Sequence, residues 1–144
     1  MRQGAAYLRK GKILIQGYAQ AVTELWIAYG PVYVSMRDDN PVEIGAKINA
    51  ALANSITGVP HPSQDQWKAV QTPMLEAAGV KSWATLAKGA MAVGFKEDGD
   101  FIVFTPSSDY ANNGGKDLPE KIIRSQRNDQ ELGEALLQAF AACE

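Results

Sequence analysis

The chain writes one unusual frame twice. Residues 40–52 read NPVEIGAKINAAL and residues 128–140 read NDQELGEALLQAF, so Asn-x-x-Glu-(Ile/Leu)-Gly-x-x-(Ile/Leu)-x-x-Ala-(Leu/Phe) occurs two times. Each copy reads as a helix that carries its own start signal. Asn40 and Asn128 suit the cap position, Pro41 suits the first helical position, and Glu43 and Glu131 stand three residues on, where a capping box would place them. Ile44, Ile48 and Leu52, like Leu132, Leu136 and Phe140, then fall on one face at the helical period. The spacing predicts a helix from Pro41 to about Asn54 and a closing helix of the same design. Gly45 and Gly133 occupy matching places inside these helices, where each costs about 1 kcal/mol relative to alanine. A cost met twice in one register asks for a close approach, of each helix to the sheet or to the other helix, where a β-carbon would collide. Descent from a duplication is the competing reading, and the unlike strands before the two copies weigh against it.

The remaining segments supply a sheet. Lys12–Ala19, Glu24–Tyr29 and Val32–Met36 are rich in β-branched and aromatic residues, with Gly30-Pro31 as a turn between the last two, and together they read as an antiparallel meander. Residues 56 to 74 read as loop, punctuated by Pro60, Pro62 and Pro73, with a short helical turn from Ser63 to Val70. PMLEAAGV reads as a helix stopped by Gly79, and Ser82 caps another short helix in KSWATLAKGA. MAVGFK and DFIVFT flank Glu97-Asp98-Gly99, an Asp-Gly hairpin signal. SSDYANNGGKDLP has the composition of an exposed loop, and EKIIRS reads as a last strand. The expected fold is α+β: a mainly antiparallel sheet of about six strands with three to four helices packed on it, in a single domain over residues 1–144, a size that suits one core.

Charge and chemistry eliminate more than they select. Fourteen basic and sixteen acidic residues spread along the chain give a formal charge of −2, without the footprint of a nucleic-acid or anionic-membrane binder. One cysteine, Cys143, cannot form an internal disulfide, which fits a reducing compartment. The start of the chain lacks the apolar run of a secretory signal, and Glu24 interrupts the apolar stretch from Ile13 to Met36, so a cytoplasmic location is expected. Any Ser-His-Asp or Cys-His arrangement would have to use the single histidine, His61 in VPHP, and no G-x-S-x-G elbow accompanies it. EDGD lacks calcium-loop spacing, and NNGGK, residues 112–116, lacks the Walker spacing. No metal or cofactor is expected. Acidic groups cluster at Asp38, Asp39 and Glu43 and again at Glu97, Asp98 and Asp100, either as solvated turn residues or as charges offered to a basic partner. Trp26 and Trp83 read as core, whereas Trp67, in the proline-punctuated stretch, is either a loop plug or an interface anchor.

Taken in order, ELWIAYGPVYVSM, EIGAKINAALANS, VPHP, AGVKSWATLAKGA, FIVFTPS, the glycine-bearing loop and QELGEALLQAFAAC resemble a family of immunity proteins from bacterial contact-dependent growth inhibition systems, over about Thr23 to Cys143. AGVKSW and the two glycine-containing helix starts carry most of the likeness. The resemblance implies a cytoplasmic protector without cofactor or chemistry of its own, whose partner is the C-terminal toxin domain of an exported protein, often a nuclease, whose active site it blocks. It transfers no contact residue. A nuclease cleft is expected to be basic, so carboxylates would steer the encounter, and the expected contacts are Asp38, Asp39, Glu97, Asp98 and Asp109, with Trp67 and Tyr110 as anchors. A small enzyme or ligand-binding domain, with a pocket between the sheet and the 82–89 helix, is the alternative; a scaffold protein is a third.

Overall fold

The computed structural model describes residues 1–112 and 114–144. Among these residues one antiparallel sheet carries the fold, in the order β3 (Trp26–Met36), β2 (Lys12–Ala21), β1 (Gln3–Arg9), β5 (Ala90–Asp98), β6 (Phe101–Ser108). Three short strands extend it: β4 (Thr57–Val59) lies parallel to the end of β2, β8 (Ile123–Gln126) pairs with the start of β6, and β7 (Lys116–Asp117) with its end. The helices are α1 (Pro41–Ala53), α2 (Trp67–Ala78), α3 (Trp83–Ala87) and α4 (Asp129–Ala142). The α+β reading and its antiparallel sheet hold, with eight strands among the described residues where about six were expected.

The doubled frame builds one layer. Asn40 Oδ1 accepts from the Val42 N–H at 3.0 Å and Asn128 Oδ1 from the Glu131 N–H at 2.9 Å, so both asparagines cap as expected. Only the second cap is reciprocal: the Asn128 amide donates to the Glu131 carboxylate, while Glu43 stays exposed. The two helices cross at their first turns. A β-carbon on Gly45 would overlap the carbonyl oxygen of Asp129, and one on Gly133 would overlap that of Pro41, so each glycine makes room for the other helix's start. Asn49 closes the crossing by donating to Asp129 Oδ1 at 2.7 Å. Ile44, Ile48, Leu52, Leu132, Leu136 and Phe140 then bury against Ile13, Ile15, Val93, Ile102 and Phe104 of the sheet. Complete burial of one such aliphatic side chain contributes roughly 1.5–3 kcal/mol, which exceeds what each glycine costs its helix.

On the opposite face α2 and α3 cover a smaller core, with Tyr7, Leu14, Met74 and Leu86 buried in it. Alternation along the strands produces the two faces: Ala6, Leu8, Ile13 and Ile15 point to α1 and α4, and Ala5, Tyr7 and Leu14 to α2 and α3.

Four expectations change. β1 was not anticipated, because QGAAYLR contains no β-branched residue; its central place between β2 and β5 supplies hydrogen bonds along both edges and overrides weak propensity. Gly30-Pro31 does not end a strand. β3 runs through it on a bulge, where the register jumps from Ile15↔Tyr33 to Gly17↔Tyr29 and Gln16 Nε2 donates to the Gly30 carbonyl at 2.8 Å. Pro31 is tolerated because β3 is the edge strand and a bulge needs no N–H there. The helix expected to begin at Pro73 begins six residues earlier, at Trp67, and carries Pro73 in its interior. The hairpin is present with Asp98 paired to Phe101, which puts Gly99 and Asp100 at the turn, one residue past the expected place. NNGGK spans Asn113, so that segment falls partly outside the described residues.

Candidate functional site

The helices on the second face leave a hollow of about 200 Å³ against the sheet. Tyr7 and Tyr18 rise from β1 and β2, Trp26 from β3, Trp67 and Met74 from α2, and Trp83 from α3. All three tryptophans are half-buried, so Trp26 and Trp83, expected in the core, instead line a concavity together with Trp67. The aromatic wall is cross-braced. Trp83 meets Tyr7 edge-on at 5.7 Å between ring centroids, and its Nε1 donates to the Tyr110 hydroxyl at 3.0 Å, while Tyr110 packs on Tyr7 at 5.5 Å. Burial, with Tyr18 and Tyr110 alongside, pushes the Tyr7 phenol well above its ordinary range. Burial raises Tyr18 in the same sense. Both are therefore neutral hydroxyls at physiological pH. An adjoining apolar groove of about 370 Å³ runs between β3 and α2, past Tyr29, Pro62 and Pro73.

The expected partner-contacting residues fall in separate places. Trp67 stands on the hollow, and Tyr110 braces it from behind Trp83. Asp38 and Asp39 follow the end of β3, where Asp39 Oδ2 accepts from the Met36 N–H at 2.8 Å. Asp109 follows β6 at the same end of the sheet, at a φ of 51°, with its backbone N–H bonded to the Glu144 carbonyl. Four strand spacings separate β3 from β6, about 19 Å at the usual ~4.8 Å per strand. Glu97 and Asp98 sit at the opposite end, in the β5–β6 hairpin, and both are already paired: Glu97 with Arg127 at 2.7 Å and Asp98 with Arg124 at 3.0 Å. Burial alone would raise the Glu97 carboxyl, but the Arg2 N–H and the Arg127 guanidinium outweigh it and hold it below its ordinary value. Asp38, Asp39 and Asp109 have no ion-pair partner among the described residues. Sequence reasoning missed Tyr7 because β1 was not anticipated, and missed Tyr18, inside the anticipated strand, because its place on the hollow depends on β1 and the helices arriving beside it.

His61 is exposed, bonded to Thr23 Oγ1 at 2.7 Å and edge-on to Trp67 at 5.8 Å, contacts that pin the VPHP loop. Cys143 is half-buried, and burial raises its thiol, so it is not poised as a nucleophile. Among the described residues no cluster of His, Cys, Asp or Glu has the makings of a metal site, and no helix is long and apolar enough to cross a membrane. What these elements offer is a braced, mostly apolar concavity with acidic residues at the sheet ends, a surface suited to recognition.

The family model for the CDI immunity protein, CdiI, matches residues 5–143. The chain belongs to that family. Its fold recurs in solved structures. A Neisseria meningitidis protein of unknown function superposes with a TM-score of 0.80 at 17% identity, covering 99% of this chain and 95% of its own. A chain of a CdiA-CT/CdiI toxin and immunity complex from Yersinia pseudotuberculosis superposes with a TM-score of 0.78 at 13% identity, covering 99% and 97%. No curated protein sequence matches. Membership of the family reaches beyond the Thr23–Cys143 stretch that carried the resemblance, taking in most of β1 and all of β2.

Proposed function

We propose that this chain acts in the cytoplasm as the immunity protein of a contact-dependent growth inhibition system, and that it neutralises the system's C-terminal toxin domain by binding it. The family match over residues 5–143 carries this reading. The likeness of the fold to a chain of a Yersinia toxin and immunity complex agrees with it. We propose further that the toxin is a nuclease, an RNase being one such case, and that binding obstructs its active site.

Physical limits shape the mechanism. Protection against a toxin that kills at low copy number needs near-complete occupancy, hence nanomolar or tighter binding, about −12 kcal/mol. A standard interface covers roughly 800 Å² on each partner. The chain exposes 7592 Å², so such an interface takes about a tenth of its surface and draws on some of the seven candidate residues. Trp67 and Tyr110 supply the aromatic element. Asp38, Asp39 and Asp109, unpaired within the described residues, supply carboxylates that a basic cleft would attract. Glu97 and Asp98 must exchange or share Arg127 and Arg124 to do the same.

The alternative, a ligand-binding or catalytic domain, draws on the aromatic hollow, which α2 walls against the sheet with only Trp83 contributed by α3. Co-expression with the C-terminal domain encoded by the neighbouring toxin gene separates the two. The immunity reading predicts a stable complex on co-purification and restored growth, both unchanged by His61→Ala. Failure of the chain to bind that domain would reject it, as would a metabolite turnover that His61→Ala abolishes.

A further inference from the structure

Gly94 has no reason within the chain to be glycine. It sits in the middle of β5, paired with Ala5 on β1 and Thr105 on β6, and both registers run through it without a shift, so it marks no bulge. Its φ is not positive, and a β-carbon built on it meets nothing within 4 Å, so neither a turn nor internal packing requires it. Gly45 and Gly133, by contrast, are each blocked by a carbonyl of the facing helix. A glycine inside a regular strand sacrifices strand propensity, and close approach of a backbone or ligand from outside is one recurring reason for it.

The surroundings match. Gly94 lies on the face of the sheet that carries α2 and α3, but beyond their cover, and it is exposed. It floors a second hollow of about 260 Å³, open to solvent and bounded by Tyr18, Lys96, Val103, Thr105 and Asp117. Tyr18 also lines the aromatic hollow, so the two concavities adjoin. Lys96 and Asp117 are exposed, and neither has an ion-pair partner among the described residues. Two unlike charges around an uncharged, side-chain-free floor suit a main-chain segment bearing complementary charges.

We infer that the hollow over Gly94 is a toxin-docking surface, on which an extended segment of the toxin lays its backbone against Gly94, with an acidic side chain facing Lys96 and a basic one facing Asp117. The inference rests on the immunity reading and deepens it: it places the contact on the open half of the α2–α3 face of the sheet.

The test is the affinity of the neighbouring gene's toxin domain for wild type, Gly94→Val and Lys96→Glu, with thermal melts and sedimentation of each free chain. Gly94→Val is expected to melt at or above the wild-type temperature, since valine favours strands, yet to bind the toxin at least about tenfold more weakly. Lys96→Glu is expected to melt like wild type and to bind about tenfold more weakly at low salt, the deficit shrinking as salt rises. Wild-type affinity in both variants would overturn the inference while leaving the immunity reading intact. So would a change in self-association with toxin affinity unaltered, which would assign the hollow to a second copy of this chain. Should Gly94→Val not fold, an internal role for the glycine would be shown and the inference overturned. If wild type itself does not bind the toxin, the immunity reading falls and the inference with it.

Discussion

At the scale of single residues, Tyr7 shows how position decides chemistry. Its phenol is buried at the foot of the aromatic wall, and burial holds it in the neutral form. The folded chain therefore keeps this proton at a pH where the unfolded chain, with an ordinary tyrosine value of about 10, has lost it. The stability tied to it is complete below about pH 10 and is lost as pH rises toward the folded value. In Tyr7→Phe the alkaline loss of stability is expected to flatten by up to about 1.4 kcal/mol per pH unit above pH 10, measured by urea unfolding at a series of pH values. An unchanged slope would mean that Tyr7 ionises freely. Legibility at this scale was uneven. The caps at Asn40 and Asn128 and the stop at Gly79 were readable because each signal acts within one turn of its own residue. The half-exposure of Trp26 and Trp83 was not, because it depends on which elements arrive from elsewhere to cover them.

At the scale of elements, the crossing of α1 and α4 is the feature on which the larger core depends. Each glycine faces a backbone carbonyl at the start of the other helix, and a carbonyl held in a capped first turn cannot step aside as a side chain would. Overpacking of this kind costs about 1–3 kcal/mol, more when backbone must move, against about 1 kcal/mol that alanine returns in helix propensity. Gly45→Ala and Gly133→Ala are each expected to lose about 2 kcal/mol in urea unfolding. Because both act on one crossing, the double variant should lose less than the sum. A variant as stable as wild type would show that the helices stand farther apart. The doubled glycine announced a close approach, and the structure chooses the facing helix over the sheet. The elements that escaped sequence reading share a cause. β1 is small-residue sequence made into a strand by two neighbours, β3 carries Pro31 past a bulge, and α2 absorbs Pro73; in each, tertiary pairing or packing overrides a local signal that pointed the other way.

At the scale of the molecule, one sheet is held on one side by two interlocked helices and covered only partly on the other. The first side is core, and the second carries the aromatic hollow, the apolar groove beside α2 and the open floor at Gly94. The fold class and the family likeness were legible in the sequence because both depend on the order of elements and their punctuation. The concave surface was not, since the hollow, the groove and the floor draw residues from seven strands and two helices and converge only once β1 is in place. The proposed mode of action is occupancy. Titrating the chain into a fixed amount of the toxin domain, while following the nuclease activity proposed for that toxin, tests this directly. Occupancy predicts a linear fall that reaches zero at one immunity chain per toxin and recovers when the two are separated under denaturing conditions and the toxin is refolded. Complete inactivation by a small fraction of an equivalent, growing with time, would contradict it.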